Sequence, residues 1–223
     1  MALPSRHHMP VLLIPGLMAG DWAMRPLSTH LRRRGFTTVH AGIGLNIGCT
    51  TELLDRLEAR LEVTVREHGE RAAVVGHSRG GTLAKLLVQR RPRDVAGLVA
   101  LASPNVDPLA VSRSVLWQLR TLNRLSAAGF RGLLAADCLS GACAESALRE
   151  LQRPLPRDVP YVLLYSKTDG VVDWQACHDP DADLIELRGS HMQMAISPDV
   201  RRIVTAALIR MERDAETPAL RAG

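Results

Sequence analysis

Rings are scarce in this sequence. Tryptophan, tyrosine and phenylalanine together make up 3% of its 223 residues, too few for a surface that stacks on bases or sugars. The core must therefore be mainly Leu, Val, Ala and Ile. Cysteine is also sparse. Four thiols, Cys49, Cys138, Cys143 and Cys177, do not make a disulfide scaffold, and buried reduced thiols are the expected state. Cys138 and Cys143 with Cys177-His178 do not follow a usual zinc spacing, so no metal and no cofactor are expected. No apolar run approaches the ~20 residues of a membrane span. Met1 to Pro10 lacks an apolar signal region, and the run Val11-Leu12-Leu13-Ile14 stops at Pro15-Gly16. A cytoplasmic protein with no integral membrane segment is the expectation. Internal repeats and low-complexity stretches are missing too. The net charge of +5 comes from 28 Lys and Arg against 23 Asp and Glu, almost all of the cations being arginine. These alternate with acids, as in Arg56, Glu58, Arg60 and Glu62, and the one dense run, Arg32-Arg33-Arg34, reads as the last turn of a helix. No nucleic-acid partner is expected.

What the chain has is apolar substance, 46% of its residues, enough for one sizeable core. Its apolar runs fall into a rhythm of strand and helix. Val11 to Ile14, Thr37 to His40, Ala72 to Val75, Gly97 to Ala102, Tyr161 to Ser166 and Leu184 to Leu187 read as strands. Amphipathic patterns fill the gaps: Trp22 to Arg34 with Asp21 as its cap and Gly35 as its stop, a long helix capped by Thr50 or Thr51 with Leu53, Leu54, Leu57 and Leu61 on one face, and a last helix from Pro198 to about Arg213. Strand and helix in alternation predict an α/β fold, a mostly parallel sheet of about six strands with helices on both faces. Residues 108–153 break the rhythm with helical patterns only. They are expected to form a small helical lid or insert in a single domain of residues 1–223, or else an ordinary packing helix.

One stretch carries chemistry. In Val74-Val75-Gly76-His77-Ser78-Arg79-Gly80-Gly81 a β-branched run meets a G-x-S-x-G turn and passes directly into a helix, the context of a nucleophile elbow. Ser78 is the candidate nucleophile. The backbone N–H of Arg79 lies at the helix N-terminus, where it can face a developing oxyanion. A second donor is expected in the loop after the first strand, from Leu17 or else Met18. Asp169 and His191 each follow a later strand, giving the order nucleophile, acid, base. Asp173 is the rival acid. His77 should point away from the nucleophile, Asp181 and Asp183 lie at the wrong end of their strand, and His7, His8 and His30 have no acidic partner in the pattern.

In these motifs the chain resembles the α/β-hydrolase superfamily and looks most like its compact lipase and esterase members. The resemblance rests on Pro15-Gly16-Leu17, Gly76-His77-Ser78-Arg79-Gly80-Gly81, Tyr165-Ser166-x-x-Asp169-Gly170-Val171-Val172 and Gly189-Ser190-His191-Met192. Pro15 departs from the pattern, since many lipases carry His there. The resemblance implies a Ser78, His191 and Asp169 triad, an acyl-enzyme, and a small-molecule ester or thioester substrate with an apolar acyl group. A biosynthetic acyl transferase or cyclase, or a binder of an apolar ligand, is the alternative. Met18, Leu119 and Leu122 are the candidate substrate-binding side chains. The stripe Val115, Leu116, Leu119 and Leu122 would either roof the acyl pocket or complete the core.

Overall fold

The computed structural model describes residues 7–135 and 137–221, and the side chains up to residue 215. Six apolar runs become strands: β1 (Val11–Ile14), β2 (Thr38–His40), β3 (Ala72–His77), β4 (Val95–Leu101), β5 (Tyr161–Tyr165) and β6 (Asp183–Glu186). Their order in the sheet is β2-β1-β3-β4-β5-β6 and every pairing is parallel. The chain runs outward from β1 to β2 and then crosses back to β3, so the sheet reverses its winding between β1 and β3. At such a switch point the loops leaving the two strands part and open a crevice beyond their carboxyl ends. Leu17 follows β1 and Ser78 follows β3, so both fall on that crevice.

Among the described residues eight α-helices surround the sheet: α1 (Arg25–Arg33), α2 (Thr50–His68), α3 (Arg79–Arg90), α4 (Arg113–Ala127), α5 (Asp137–Ser140), α6 (Ala142–Leu151), α7 (Gln193–Ile196) and α8 (Pro198–Arg221). Side chains alternate across a strand, and here each side meets its own helices. Leu12, Ile14, Val74, Leu98 and Leu163 pack with Leu54, Leu57 and Leu61 of α2, Leu83 and Leu87 of α3, and Leu151 of α6. Val11, Leu13, Val75, Val99 and Leu164 pack with Leu27 and Leu31 of α1 and with Val204 and Leu208 of α8. Both faces being covered, the central strands are apolar throughout and not alternating.

Helix starts are where the sequence reading fails. Asp21 does not cap a helix. It opens a short 3-10 turn, Asp21–Met24, and α1 begins only at Arg25 with no side-chain cap; the Asp21 carboxylate instead accepts from the Gly42 N–H at 3.3 Å. Neither Thr50 nor Thr51 caps α2, whose N-cap is Cys49. Helix α8 continues past Arg213 to Arg221. Residues 108–153 hold α4, α5 and α6 and, among the described residues, no strand. Leu119, Leu122 and Leu134 of this region form a third apolar cluster, apart from the two cores and packed on Leu17, Ile47 and Cys138. The stripe on α4 therefore faces the loop after β1.

Two buried features hold α3 in place. Lys85 donates to Asp179 at 2.5 Å in a pair that is almost fully buried, and Tyr161 joins Asp179 while accepting from the Asn105 amide at 2.7 Å. At the other end α3 presses on β1. A Cβ on Gly80 would stand 2.4 Å from the Ile14 and Pro15 carbonyl oxygens, and one on Gly76 would stand 2.3 Å from the Gly80 carbonyl. Backbone cannot yield there as a side chain would. Gly80→Ala should therefore lower stability by about 1–3 kcal/mol, the usual cost of overpacking. Gly48→Ala, whose Cβ would find its nearest neighbour at 3.5 Å, should change it little, and denaturant titration of the two variants checks the contrast.

Candidate active site

The strand-to-helix turn sets Ser78 at φ 53° and ψ −126°, a left-handed conformation that a side chain other than glycine's adopts at a cost of about 1–3 kcal/mol. Hydrogen bonds on both sides fasten it. The Ser78 N–H donates to the Leu101 carbonyl of β4 at 2.8 Å, and its own carbonyl accepts from Gly81 at 2.8 Å and Thr82 at 3.3 Å. The side chain is thereby turned out of the sheet at the N-terminus of α3, where the helix dipole favours negative charge.

Opposite it runs the loop after β1, held by Asn46. This fully buried side chain donates to the Pro15 carbonyl at 2.8 Å, and its backbone pairs with Leu17 in an isolated parallel bridge. The Met18 N–H is used in that pairing, donating to the Asn46 carbonyl at 3.3 Å. Among the described residues the Leu17 and Arg79 N–H groups have no hydrogen-bond partner, and both residues line the same cavity as Ser78. Of the two donors considered for the β1 loop, Leu17 is the one left free. The Arg79 guanidinium donates to the Asn46 carbonyl at 3.1 Å, the Asn46 side-chain oxygen at 2.9 Å and the Gly48 carbonyl at 2.8 Å. Burial lowers its pKa to about 10 against the raising effect of nearby cysteines, so it stays charged at neutral pH. Nothing in the sequence marked Asn46 or this guanidinium.

His191 enters on the loop after β6. Its Nδ1 lies 2.8 Å from Asp169 Oδ2, both groups buried, and its N–H donates to the Asp169 carbonyl at 3.2 Å. The other carboxylate oxygen accepts from the Val171 and Val172 N–H groups at 2.9 and 2.7 Å. Burial alone would raise the Asp169 pKa, but the hydrogen bonds from His191, Val172 and Val171 and the His191 charge outweigh it and leave the group below its ordinary value. An ionised carboxylate only accepts, so Nδ1 carries a hydrogen, and in the neutral ring the bare lone pair is then on Nε2. Asp173 is elsewhere: it is exposed and accepts from the Gln175 N–H at 3.0 Å as the cap of a short turn. His77, buried in β3 and itself among the residues bordering the cavity, supports the site. Its Nε2–H donates to the His191 carbonyl at 3.1 Å, and the two rings lie 4.7 Å apart. Ser166 holds the same loop through the Gly189 carbonyl at 2.7 Å. Asp181 and Asp183 stay clear of the site, binding the Leu155 N–H and Arg210. His7, without a partner in the pattern, pairs with Glu212 of α8 and stacks on Phe36.

Ser78 and His191 border one cavity of about 820 Å³, a size suited to a single small-molecule ligand. Its walls are mainly apolar, from Met18 and Trp22 at one side to Leu83 and Leu86 of α3 and Leu148 and Leu151 of α6. Met18 lines it half-exposed. Leu119 lines it as well, whereas Leu122 packs with Leu119 and Leu134 in the cluster behind.

A family model described as the alpha/beta hydrolase family matches residues 11–223. The chain belongs to the alpha/beta hydrolase family. No curated protein matches the sequence, but solved members of this fold do. The mature lipase BlEst2 of Bacillus licheniformis superposes with a TM-score of 0.70 at 15% identity, over 92% of this chain and 93% of the lipase. A monoacylglycerol lipase of Paleococcus ferrophilus matches at 0.58 and 16% identity, over 95% and 97%. The metagenomic carboxyl esterase MGS0156 matches at 0.65 and 17% identity, over 95% and 77%. At such identities the likeness establishes the fold of this hydrolase-family member. Among its described residues no helix is long and apolar enough to cross a membrane.

The His77 contact has a pH signature. Burial, and then the neighbouring His191, lower the His77 pKa from 6.5 to about 4. Between those values the unfolded chain binds more protons than the folded one, so stability falls as the pH drops through that window. At pH 5 the loss should be about 2 kcal/mol relative to pH 7. His77→Gln, which keeps an amide donor but does not titrate, should remove that slope, as measured by urea unfolding at the two pH values.

Proposed function

We propose that the chain is a serine hydrolase of carboxylic esters or thioesters with an apolar acyl group. The observation that carries this reading is the meeting, on one apolar cavity, of Ser78 in its left-handed turn, two partnerless backbone N–H groups and a histidine anchored by a buried carboxylate. In the proposed reaction His191 Nε2 takes the Ser78 proton as Oγ attacks the acyl carbonyl. The oxygen that gains the negative charge is met by the N–H groups of Leu17 and Arg79. Collapse breaks the bond to the alcohol or thiol, which leaves with the proton from His191. Water then enters, gives a proton to His191 and cleaves the acyl-enzyme, freeing the acid and restoring Ser78. Asp169 holds the ring in its tautomer and stabilises the imidazolium throughout. The lipases and esterases among the structural neighbours agree with ester chemistry, and the Leu-rich walls suit an acyl chain better than a polar group.

In this scheme Ser78→Ala should lower kcat/KM for p-nitrophenyl esters by at least about 10⁴-fold with an unchanged melting temperature, since Ser78 serves chemistry and not packing. Asp169→Asn should cost roughly 10³–10⁴-fold, and Asp173→Asn less than about threefold. A Ser78→Ala enzyme of full activity, or an Asp173 variant worse than the Asp169 one, would contradict the assignment.

The helical region tests the acyl pocket. Leu119 lines the cavity and Leu122 lies behind it, so the two should part company. Leu119→Gln should shift the preferred acyl length across an ester series, while Leu122→Gln should mainly cost about 1–3 kcal/mol of stability for a polar group buried without a partner. Equal length profiles for wild type and Leu119→Gln would place α4 outside acyl recognition.

A further inference from the structure

Three of the four cysteines, Cys49, Cys138 and Cys143, meet beside the site. Cys138 Sγ lies 3.2 Å from Cys49 Sγ and 3.5 Å from Cys143 Sγ, and Cys49 and Cys143 are 3.9 Å apart. Cys177 stays apart from them, buried under β5. Cys49 comes from the N-cap of α2, 89 residues before its partner on α5. The turn joining α5 to α6 is shaped to bring the other two together. Asp137 Oδ2 accepts from the Cys143 N–H at 3.0 Å, and a Cβ on Gly141 would overlap Asp137 Oδ1 at 2.1 Å, so only glycine closes this turn.

We propose that Cys49, Cys138 and Cys143 form a binding site for a thiophilic divalent cation, zinc in the first instance, with the fourth coordination position open to water or an added ligand. Three thiolates around a tetrahedral zinc with bonds near 2.3 Å would stand about 3.8 Å apart. The observed separations, 3.2 to 3.9 Å, bracket that value, and the shortest would have to open by about 0.6 Å. Charge favours it as well. Zinc with three thiolates carries one negative charge, and the Arg79 guanidinium is close enough to be influenced by all three sulfurs. Binding replaces three S–H bonds by three S–metal bonds and releases up to three protons, with no change of oxidation state. It would clip the start of α2 to the helical region, where Cys138 and Ser140 line the cavity.

The test uses the full chain, reduced, metal-free and anaerobic. Cadmium added stepwise should raise a thiolate-to-metal charge-transfer absorbance that saturates at one equivalent. One equivalent of cadmium or zinc should protect three thiols from Ellman's reagent and raise the melting temperature. Cys49→Ser, Cys138→Ser and Cys143→Ser should each weaken binding by roughly a hundredfold, and Cys177→Ser should leave it unchanged. Thiols that stay reactive in the wild-type protein with excess metal, a melting temperature that does not rise, or a Cys49→Ser variant that binds like wild type would each overturn the site. The wild-type protection result stands even if a serine variant fails to fold.

Discussion

Where α3 meets β1 the two backbones approach so closely that no Cβ fits at Gly80. That approach forces the chain to turn sharply between β3 and α3, and Ser78 takes the left-handed conformation as a result. The hydroxyl and the first free N–H of α3 are thereby delivered together, because they belong to consecutive residues of one turn. The parallel order of the strands places the second N–H that has no partner among the described residues, that of Leu17. Since the sheet reverses its winding between β1 and β3, the loop carrying Leu17 diverges from the elbow at the one place where a crevice opens.

The two sides of the crevice are fixed by polar groups that bind backbone. Arg79 holds the Asn46 to Gly48 segment through three hydrogen bonds at 2.8 to 3.1 Å, and Asn46 in turn donates to the Pro15 carbonyl at 2.8 Å, beside Leu17. His77 and Ser166 hold the loop that carries His191. Arg79 thus serves twice, its N–H facing the cavity and its guanidinium bracing the opposite wall. His77, next to Ser78 in sequence, donates to the loop that carries His191. In the proposed reaction such bracing matters because donors that are already in place need not reorganise as charge develops.

Much of this was legible in the sequence because it depends on local pattern. The six strands follow from short β-branched and apolar runs, and Ser78, Asp169 and His191 each follow one of them, so the parallel sheet alone brings them to one edge. The Asp169 to His191 contact needed only the choice between two aspartates in one loop. What was not legible depends on tertiary placement. Asn46 meets Arg79 across 33 residues, His77 meets His191 across 114, and Cys49 meets Cys138 across 89. No periodicity records such pairs. The helix caps failed for another reason: Asp21 accepts from the Gly42 N–H, 21 residues on, instead of from its own helix, and α1 and α2 start without a side-chain cap.

The central claim is that Ser78 is a nucleophile made reactive by its surroundings and not merely a serine in a turn. Covalent labelling by a fluorophosphonate measures that directly, without knowledge of the natural substrate. Peptide mapping should find one adduct, on Ser78, with a labelling rate that falls steeply in His191→Ala and in Asp169→Asn. An unlabelled protein, or an adduct on another serine while Ser78 stays free, would contradict the account.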